Sequence, residues 1–368
     1  MNNQPVLPQY SGANVRGIIP ALCAPRSAAL PGWMPGPATA PQRVLLVIDG
    51  LGWEQLQARR HIAPALCSML GGPITTVAPS TTATALTSIT TGLTPGEHGL
   101  VGYRLDIGGD VLNVLRWQGD HGDLRRSHPP RDVQPFLPFM GESPVVITRA
   151  ELEGSGFTDA HLRGAALRGW RTMSAIAVEI AHQIAAGERL VYAYYDGIDK
   201  TAHERGFGDY YDAELAMVDH FVGDVLGRLP ADAALVITAD HGQVHVGSNV
   251  VKLDSSILSL VRLQSGEGRF RWLHAKHGAQ ADLLAATTEA HGDQAWVVSR
   301  EQTIDEGWFG PIVAPPVAGR LGDVALAACD DVTFFDPADS GPYELICRHG
   351  SLTSAEMYVP LLAAHGRR

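Results

Sequence analysis

The sequence predicts an α/β protein built on a doubly wound, mainly parallel sheet sandwiched by helices, with a small inserted α+β subdomain. Three observations carry that prediction. Continuous apolar runs of strand length end in acids, helical stretches separate them, and between 243 and 346 the pattern changes to short strands around one helix. Strands buried on both faces read as unbroken apolar runs, and their alternation with helices is the signature of a parallel sheet covered on both sides.

Taken in order, residues 1–42 are rich in Pro, Gly and Ala without a sustained period, and read as an irregular surface leader with a short helix near Ala21. The run 43–52 (RVLLVIDGLG) is a buried strand that delivers Asp49 at its carboxyl tip. Residues 53–70 suit the helix that follows. Next comes the turn Pro79-Ser80-Thr81-Thr82, a small-residue helix that stops at Gly92, and a Pro95-Gly96 turn leading to His98. Residues 101–115 read as a hairpin around Gly108-Gly109, and 118–142 as a loop. A second strand is expected over 143–148, a helix over 171–186, and a third strand over 189–195 that runs into Asp196-Gly-Ile-Asp199-Lys-Thr-Ala-His203. An amphipathic helix over 210–229 carries Leu215, Val218, Val222, Val225 and Leu226 at the helical interval. A fourth strand, 233–238, ends in Asp240-His241. In the insert, strands at 270–274 and 294–298 flank a helix at 279–291, with a further strand at 323–328. Residues 354–362 return to the core. The expected organisation is a leader (1–42), a hydrolase-like core (43–242 with 347–368) and an inserted α+β subdomain (243–346).

Composition narrows the function. The chain has 368 residues, 45% hydrophobic and 18% charged, enough for a sizeable core. A formal net charge of −11 argues against a nucleic acid polymer as partner, so an anion site must supply its own local positive charge. Cys23, Cys67, Cys329 and Cys347 are widely spaced and read as thiols of a reducing compartment. No basic region followed by an apolar run opens the chain, and no window holds 18 consecutive apolar residues, so the expectation is a cytoplasmic protein without a membrane span.

The chemistry-bearing residues fall where ligands gather in such sheets, at the carboxyl ends of the strands. Asp49, the Asp196/Asp199 pair and Asp240-His241 each follow a predicted strand, and His349 sits in a Gly-flanked turn. Asp199 and His203 are four apart, which puts both on one face of a helical turn. Each alone has a simpler use as a cap, a turn former or a core histidine. Together they form a carboxylate–imidazole set suited to zinc and tolerated by manganese, and without a cation such acids would repel one another. A hydroxyl-rich turn at a helix start, where N–H groups are unsatisfied, is a place for an anion and a nucleophile to meet, although a plain Ser/Thr cap looks the same.

Five segments occur in a telling order: IDGLG (48–52), PSTT (79–82) with TGLTPGEHG (91–99), DKTAH (199–203), ADHG (239–242) and RHGSL (348–352). Together they resemble the alkaline phosphatase superfamily, in particular its nucleotide pyrophosphatase/phosphodiesterase branch, over roughly 43–362. The resemblance implies two divalent metal ions, zinc with manganese as the alternative. One would be held by Asp199, His203 and His349 and the other by Asp49, Asp240 and His241. It implies Thr82 as the nucleophile that bridges to both metals, chosen over Thr81 and Ser80 by the family spacing back from Thr91-Gly92-Leu93. The implied activity is phosphodiester or pyrophosphate hydrolysis of a small-molecule phosphoester through a covalent phospho-threonine, the alternative being a phosphomonoesterase or phosphonate hydrolase. The oligomeric state is left open. The chain departs from the branch where an aromatic usually follows the nucleophile and an Asn lies two residues beyond it; Ala83 and Ala85 stand there. Tyr103, Arg104, Arg205 and the loop at 118–135 are the candidate substitutes.

Overall fold

In the computed structural model, which describes residues 4–25, 27–339 and 344–368, the four predicted apolar runs lie side by side in one seven-stranded sheet. Its strands are β1 (Gln42–Ile48), β2 (Leu70–Thr75), β3 (Val145–Arg149), β4 (Ala166–Trp170), β5 (Leu190–Tyr195), β6 (Ala233–Thr238) and β7 (Tyr358–His365). They run across the sheet as β2–β7–β6–β1–β5–β3–β4. Strands β6, β1, β5, β3 and β4 are parallel, while β7 is antiparallel to both β6 and β2. Every residue of β5 and β6, and all but the first of β1, is buried, as strands covered on both faces require.

The register does the work of assembly. Val47 pairs with Thr238 on one side and Ile48 with Tyr195 on the other, so the carboxyl tips of β6, β1 and β5 end level. Helices α1 (Thr82–Thr91), α2 (Met173–Ala185), α3 (Gly197–Arg205) and α4 (Asp209–Arg228) flank the sheet. Helix α2 buries Ile176, Ala177, Ile180 and Ile184, one stripe at the 3.6-residue period, and α4 buries Leu215, Val218, Val222 and Val225 in the same manner. Helix α1 differs, being buried all round from Ala83 to Thr91. Three of its threonines bond back along the helix: Thr87, Thr90 and Thr91 donate their hydroxyls to the carbonyls of Ala83, Leu86 and Thr87 at 2.7, 3.0 and 2.6 Å, while the Thr84 hydroxyl is buried without a partner.

Residues 261–328 hold a separate four-stranded antiparallel sheet, in the order Val261–Glu267, Phe270–Ala275, Val324–Ala328, Ala295–Ser299, with the helix Gln280–His291 against it. Alternate residues of Phe270–Ala275 serve different cores. Phe270 and Trp272 join the main cluster, whereas Leu273 and Ala275 pack with Leu283, Leu326 and Phe334 in a smaller one. Arg269 and Glu356, both wholly buried, bind each other at 2.8 Å between this sheet and the segment that enters β7.

Three local expectations change. Residues 53–70 are not one helix: Trp53–Ala58 and Pro64–Cys67 are short, Pro64 opens the second, and Leu70 already begins the strand β2. Strands β4 and Val261–Glu267 were not anticipated. The leader does not lie on the surface either. Val15, Ile18, Ile19 and Ala38 are fully buried in the main core, and Asn14 donates to the Thr76 carbonyl at 2.8 Å. No disulfide joins the four cysteines, and among the described residues no helix is long and apolar enough to cross a membrane.

Candidate active site

The level strand tips bring Asp49, Asp199, Asp240 and His241 into one place. Asp49 follows β1 directly and its N–H bonds the Tyr195 carbonyl at 2.8 Å, which fixes the tip of β1 against that of β5. Gly50 then turns the chain at φ 73°, and a Cβ there would sit 2.9 Å from the Asp199 backbone, so only glycine lets the two tips approach. Asp199 and His203 share one face of α3, with Nε2 of His203 3.2 Å from Oδ1 of Asp199. Asp240 is held by the N–H groups of Gly50 and His241, at 3.1 and 3.0 Å to its Oδ1. His349 arrives from the far end of the sequence. Ser80 and Gly350 form a β-bridge, and the Ser80 hydroxyl donates to the Ser351 carbonyl at 2.6 Å, so the turn before α1 and the His349 loop are zipped together.

All three imidazoles are aimed by the same device. Nδ1 of His203, His241 and His349 lies 2.6, 3.0 and 3.0 Å from the carbonyls of Cys347, Gly242 and Ser80. A carbonyl can only accept, so each Nδ1 carries the proton and each Nε2 presents a lone pair to the centre. Nε2 of His241 lies 3.4 Å from Oδ1 of Asp49 and 3.4 Å from Oδ2 of Asp240. Those two carboxylate oxygens are buried without a hydrogen-bond partner. Two bare carboxylate oxygens facing one imidazole nitrogen are the arrangement a cation satisfies.

Two groups of ligand atoms result, each within 4.8 Å: Asp49, Asp240 and His241, and Asp199, His241 and His349. His241 belongs to both, and its ring stacks on that of His349 with centroids 3.5 Å apart. His203, which the resemblance places with Asp199 and His349, stands beside the second group. The hydroxyl of Thr82 is 3.1 Å from Nε2 of His241, the shared imidazole. Thr81, the N-cap of α1, makes no side-chain cap bond, so the first N–H groups of that helix are left without one.

Residues 43–352 match the type I phosphodiesterase / nucleotide pyrophosphatase family. The chain belongs to that family. It is a phosphoester-hydrolysing enzyme of the alkaline phosphatase superfamily, and the family's dependence on metal agrees with the two groups just described. No curated protein matches the sequence. Among solved structures, murine ectonucleotide pyrophosphatase / phosphodiesterase 5 aligns with a TM-score of 0.65 at 16% identity, over 89% of this chain and 88% of that one. The human protein of the same name aligns at 0.63 and 18%, over 88% of each chain. Phosphonoacetate hydrolase from Sinorhizobium meliloti 1021, in complex with phosphonoacetate, aligns at 0.63 and 15%, over 89% of this chain and 91% of that one. These likenesses show the same fold.

In this phosphodiesterase-family chain, the electrostatics of the centre follow from burial and crowding. Burial, with Asp240 and Asp199 close by, holds the Asp49 carboxyl well above the usual carboxylate range. Burial also raises Asp240. Asp199 goes the other way: burial opposes ionisation, but His203, His349 and His241 pull its pKa down. Asp196, named with Asp199 from the sequence, turns aside to Arg149 and Lys200, at 3.1 and 2.6 Å.

A cavity of about 680 Å³ opens over Thr82, lined among others by Tyr103, Arg104, His203, Glu267 and Arg348. A smaller one of about 220 Å³ adjoins Thr82 and Asp49 and is walled by Leu86, Leu115, Phe157 and Tyr194. Of the candidate substitutes, Tyr103 and Arg104 face the larger cavity, while Arg205 lies over the Tyr210 ring at 5.0 Å. Ala83 and Ala85 are fully buried. The sequence reading missed four residues. Tyr194 donates its hydroxyl to Oδ2 of Asp49, and Gln243 donates to Oδ1 of Asp199 at 2.7 Å. Burial raises Glu267 to about 8, against the pull of Thr81 and of the Tyr103 N–H 3.2 Å from its Oε2. Arg348 is the fourth. Arg348, Gln243 and Tyr194 lie within two residues of His349, His241 and Asp196, whereas Glu267 carries no such sequence signal.

Proposed function

We propose that this enzyme hydrolyses phosphodiester or pyrophosphate bonds of small molecules, with Thr82 as nucleophile. The observation that supports the reading is the position of the Thr82 hydroxyl, 3.1 Å from the one imidazole that belongs to both ligand groups. In this reading Asp49, Asp240 and His241 hold one divalent cation and Asp199, His203 and His349 the other, both zinc. When bound, two such ions supply the positive charge that activates a hydroxyl and stabilises charge developing on attacking and leaving oxygens. The residues do the rest. Thr82 Oγ1 attacks phosphorus in line, the bond to the leaving oxygen breaks, and a phospho-threonine forms. Water then attacks that phosphorus from the vacated side and returns the Thr82 oxygen. The uncapped N–H groups at the start of α1 face the non-bridging oxygens, where a helix N-terminus favours negative charge.

Replacing Thr82 with Ala tests the assignment. Turnover of an aryl phosphodiester falls by about 10³-fold or more, the scale seen when a nucleophile is removed, while metal analysis still finds two ions per chain. Full activity in Thr82→Ala, or fewer than two ions at saturation, refutes the reading.

A further inference from the structure

Among the described residues, the wall of the larger cavity contains a cation that no carboxylate pairs, Arg348. Besides the exposed Arg116, which also lines the cavity, four arginines lie in or behind this wall, and three of them are paired. Arg104 binds Asp336 and Asp339 at 2.7 and 3.1 Å, Arg269 binds Glu356, and Arg271 binds Asp339 and the Phe334 carbonyl. Arg348 lines the cavity together with Thr82, Asp199 and His349. Its Nε is buried without a hydrogen-bond partner, and among the described residues no carboxylate pairs with it. None of the acids that line the cavity forms an ion pair with it: Asp339 binds Arg104 and Arg271, Asp199 binds His203 and Gln243, and Glu267 accepts from the Tyr103 N–H through Oε2 while its Oε1 stays bare. Burial, together with Arg271 and Arg269, lowers the Arg348 pKa against the pull of Asp339. Gly268 packs against the Arg348 Nη1: a Cβ there would stand 3.3 Å from that nitrogen and closer still to the Thr333 hydroxyl.

Arg348 is half-buried, with Nε shielded from water. A partly desolvated guanidinium costs free energy unless an anion meets it, and its planar fork of donors fits a carboxylate or a phosphate. In a chain of net charge −11, a half-buried guanidinium that lines the same cavity as Thr82 and that no described carboxylate pairs is a place for an anionic ligand. We propose that Arg348 is the counter-ion of a second anionic group on the substrate, set off from the scissile phosphorus. The site then selects esters that carry a further phosphate or carboxylate over mono-anionic diesters. This rests on the reading of Thr82 as the point of attack and deepens it by naming the substrate class.

The test compares three aryl esters on the zinc-loaded enzyme and on Arg348→Ala. 4-Nitrophenyl methylphosphonate bears one charge, at phosphorus. 4-Nitrophenyl phosphate bears its second charge on the transferred group, and the P-4-nitrophenyl ester of phosphonoacetate bears it on a carboxylate beyond phosphorus. Expected is a wild-type kcat/KM preference for the phosphonoacetate ester over the methylphosphonate ester. That preference falls by about 10²–10³-fold in Arg348→Ala, mainly through KM, the scale of losing a buried charge-assisted contact. Arg348→Lys, which keeps the charge and most of the volume, recovers part of it. A preference that stays within about threefold of wild type, or a loss greatest on the phosphate monoester, overturns the proposal. If the wild type turns over none of the three and no aryl phosphodiester either, the phosphodiesterase reading fails by itself. Arg348 is then judged by calorimetric binding of phosphonoacetate against methylphosphonate. A wild-type preference erased in Arg348→Ala supports the counter-ion role, and no wild-type preference refutes it.

Discussion

Each imidazole of the centre has one nitrogen committed to a main-chain carbonyl, and the carboxylates are held with the same economy. Asp49 gives Oδ2 to the Tyr194 hydroxyl and keeps Oδ1 bare; Asp240 gives Oδ1 to two N–H groups and keeps Oδ2 bare. One oxygen orients and the other faces the centre. Tyr194 is therefore a positioning residue for a candidate ligand. Removing its hydroxyl in Tyr194→Phe leaves the ring and its packing, and frees Asp49 to rotate. The expected outcome is zinc affinity weaker by about 10–100-fold, as for other partners that orient metal ligands, read by competition with a chromophoric chelator. Wild-type affinity in Tyr194→Phe would show that the hydroxyl does nothing for Asp49.

Helix α1 meets the centre only because the segment after it is clamped. Thr94 and Glu97 form a reciprocal capping box at the next short helix, with the Thr94 N–H 2.9 Å from Oε2 of Glu97. His98 then reaches back to α1. Its Nδ1 accepts from the Leu100 N–H at 3.1 Å, so Nε2 carries the proton and donates to the Ser88 hydroxyl at 2.8 Å. The stretch TPGEHG, part of the family resemblance, is thus a structural clamp on the nucleophile helix. Burial, with Arg320 near, holds His98 down to about 3. Its folded pKa lies below the unfolded value of about 6.5, so the neutral ring contributes stability that is complete above that pH and is lost as pH falls toward 3. His98→Gln cannot gain the proton. Expected in urea unfolding is a variant less stable at pH 7 by about 1–3 kcal/mol, with a shallower loss than wild type between pH 6.5 and 4.5. Parallel curves would mean that His98 does not titrate on unfolding. Such elements also show what a sequence discloses. The runs that became β1, β3, β5 and β6 were legible because both faces are buried, and acids stand at the tips of β1, β5 and β6. Strand β2, Leu-Gly-Gly-Pro-Ile-Thr, was not, since it is an edge strand exposed over most of its length and lacks an apolar period. Asp199 and His203 were visible through their spacing, whereas Tyr194 and Glu267 matter only through which unsatisfied atom another element places beside them.

At the scale of the molecule, the centre is a junction of three parts that the sequence holds far apart: the level tips of β6, β1 and β5, the N-terminus of α1, and the His349 loop. The loop is pinned to the four-stranded sheet, since the Ser351 hydroxyl donates to the Ala328 carbonyl at 2.6 Å and the Ser351 N–H to Glu356, itself bound to Arg269. Fold and centre are therefore coupled, and the charge state of the centre must register in global stability. Without metal, burial and mutual repulsion raise Asp49 and Asp240 above their unfolded values, so folding holds protons that the unfolded chain releases. His203 is also raised: burial opposes its charge, and Asp199 overcomes that. A raised group contributes stability below its unfolded pKa and loses it as pH climbs through the folded one. His349, lowered by burial and by His241, acts in the opposite sense, but its contribution is complete above about pH 6.5. Above pH 6.5 the metal-free protein therefore loses stability through His203, while Asp49 and Asp240 lose theirs as pH rises from the unfolded carboxylate range of about 4 through their raised folded values. Cations that bind the deprotonated carboxylates and neutral imidazoles remove that loss, and bind more tightly as pH rises. The expected outcome is a melting temperature that chelation lowers at every pH in this range, by a margin that widens from pH 6.5 to 9 and closes when zinc is returned. Calorimetric scans of the zinc-loaded and chelated protein at matched pH measure it directly, and a margin that stays constant or narrows would show that these side chains do not meet a cation in the folded enzyme.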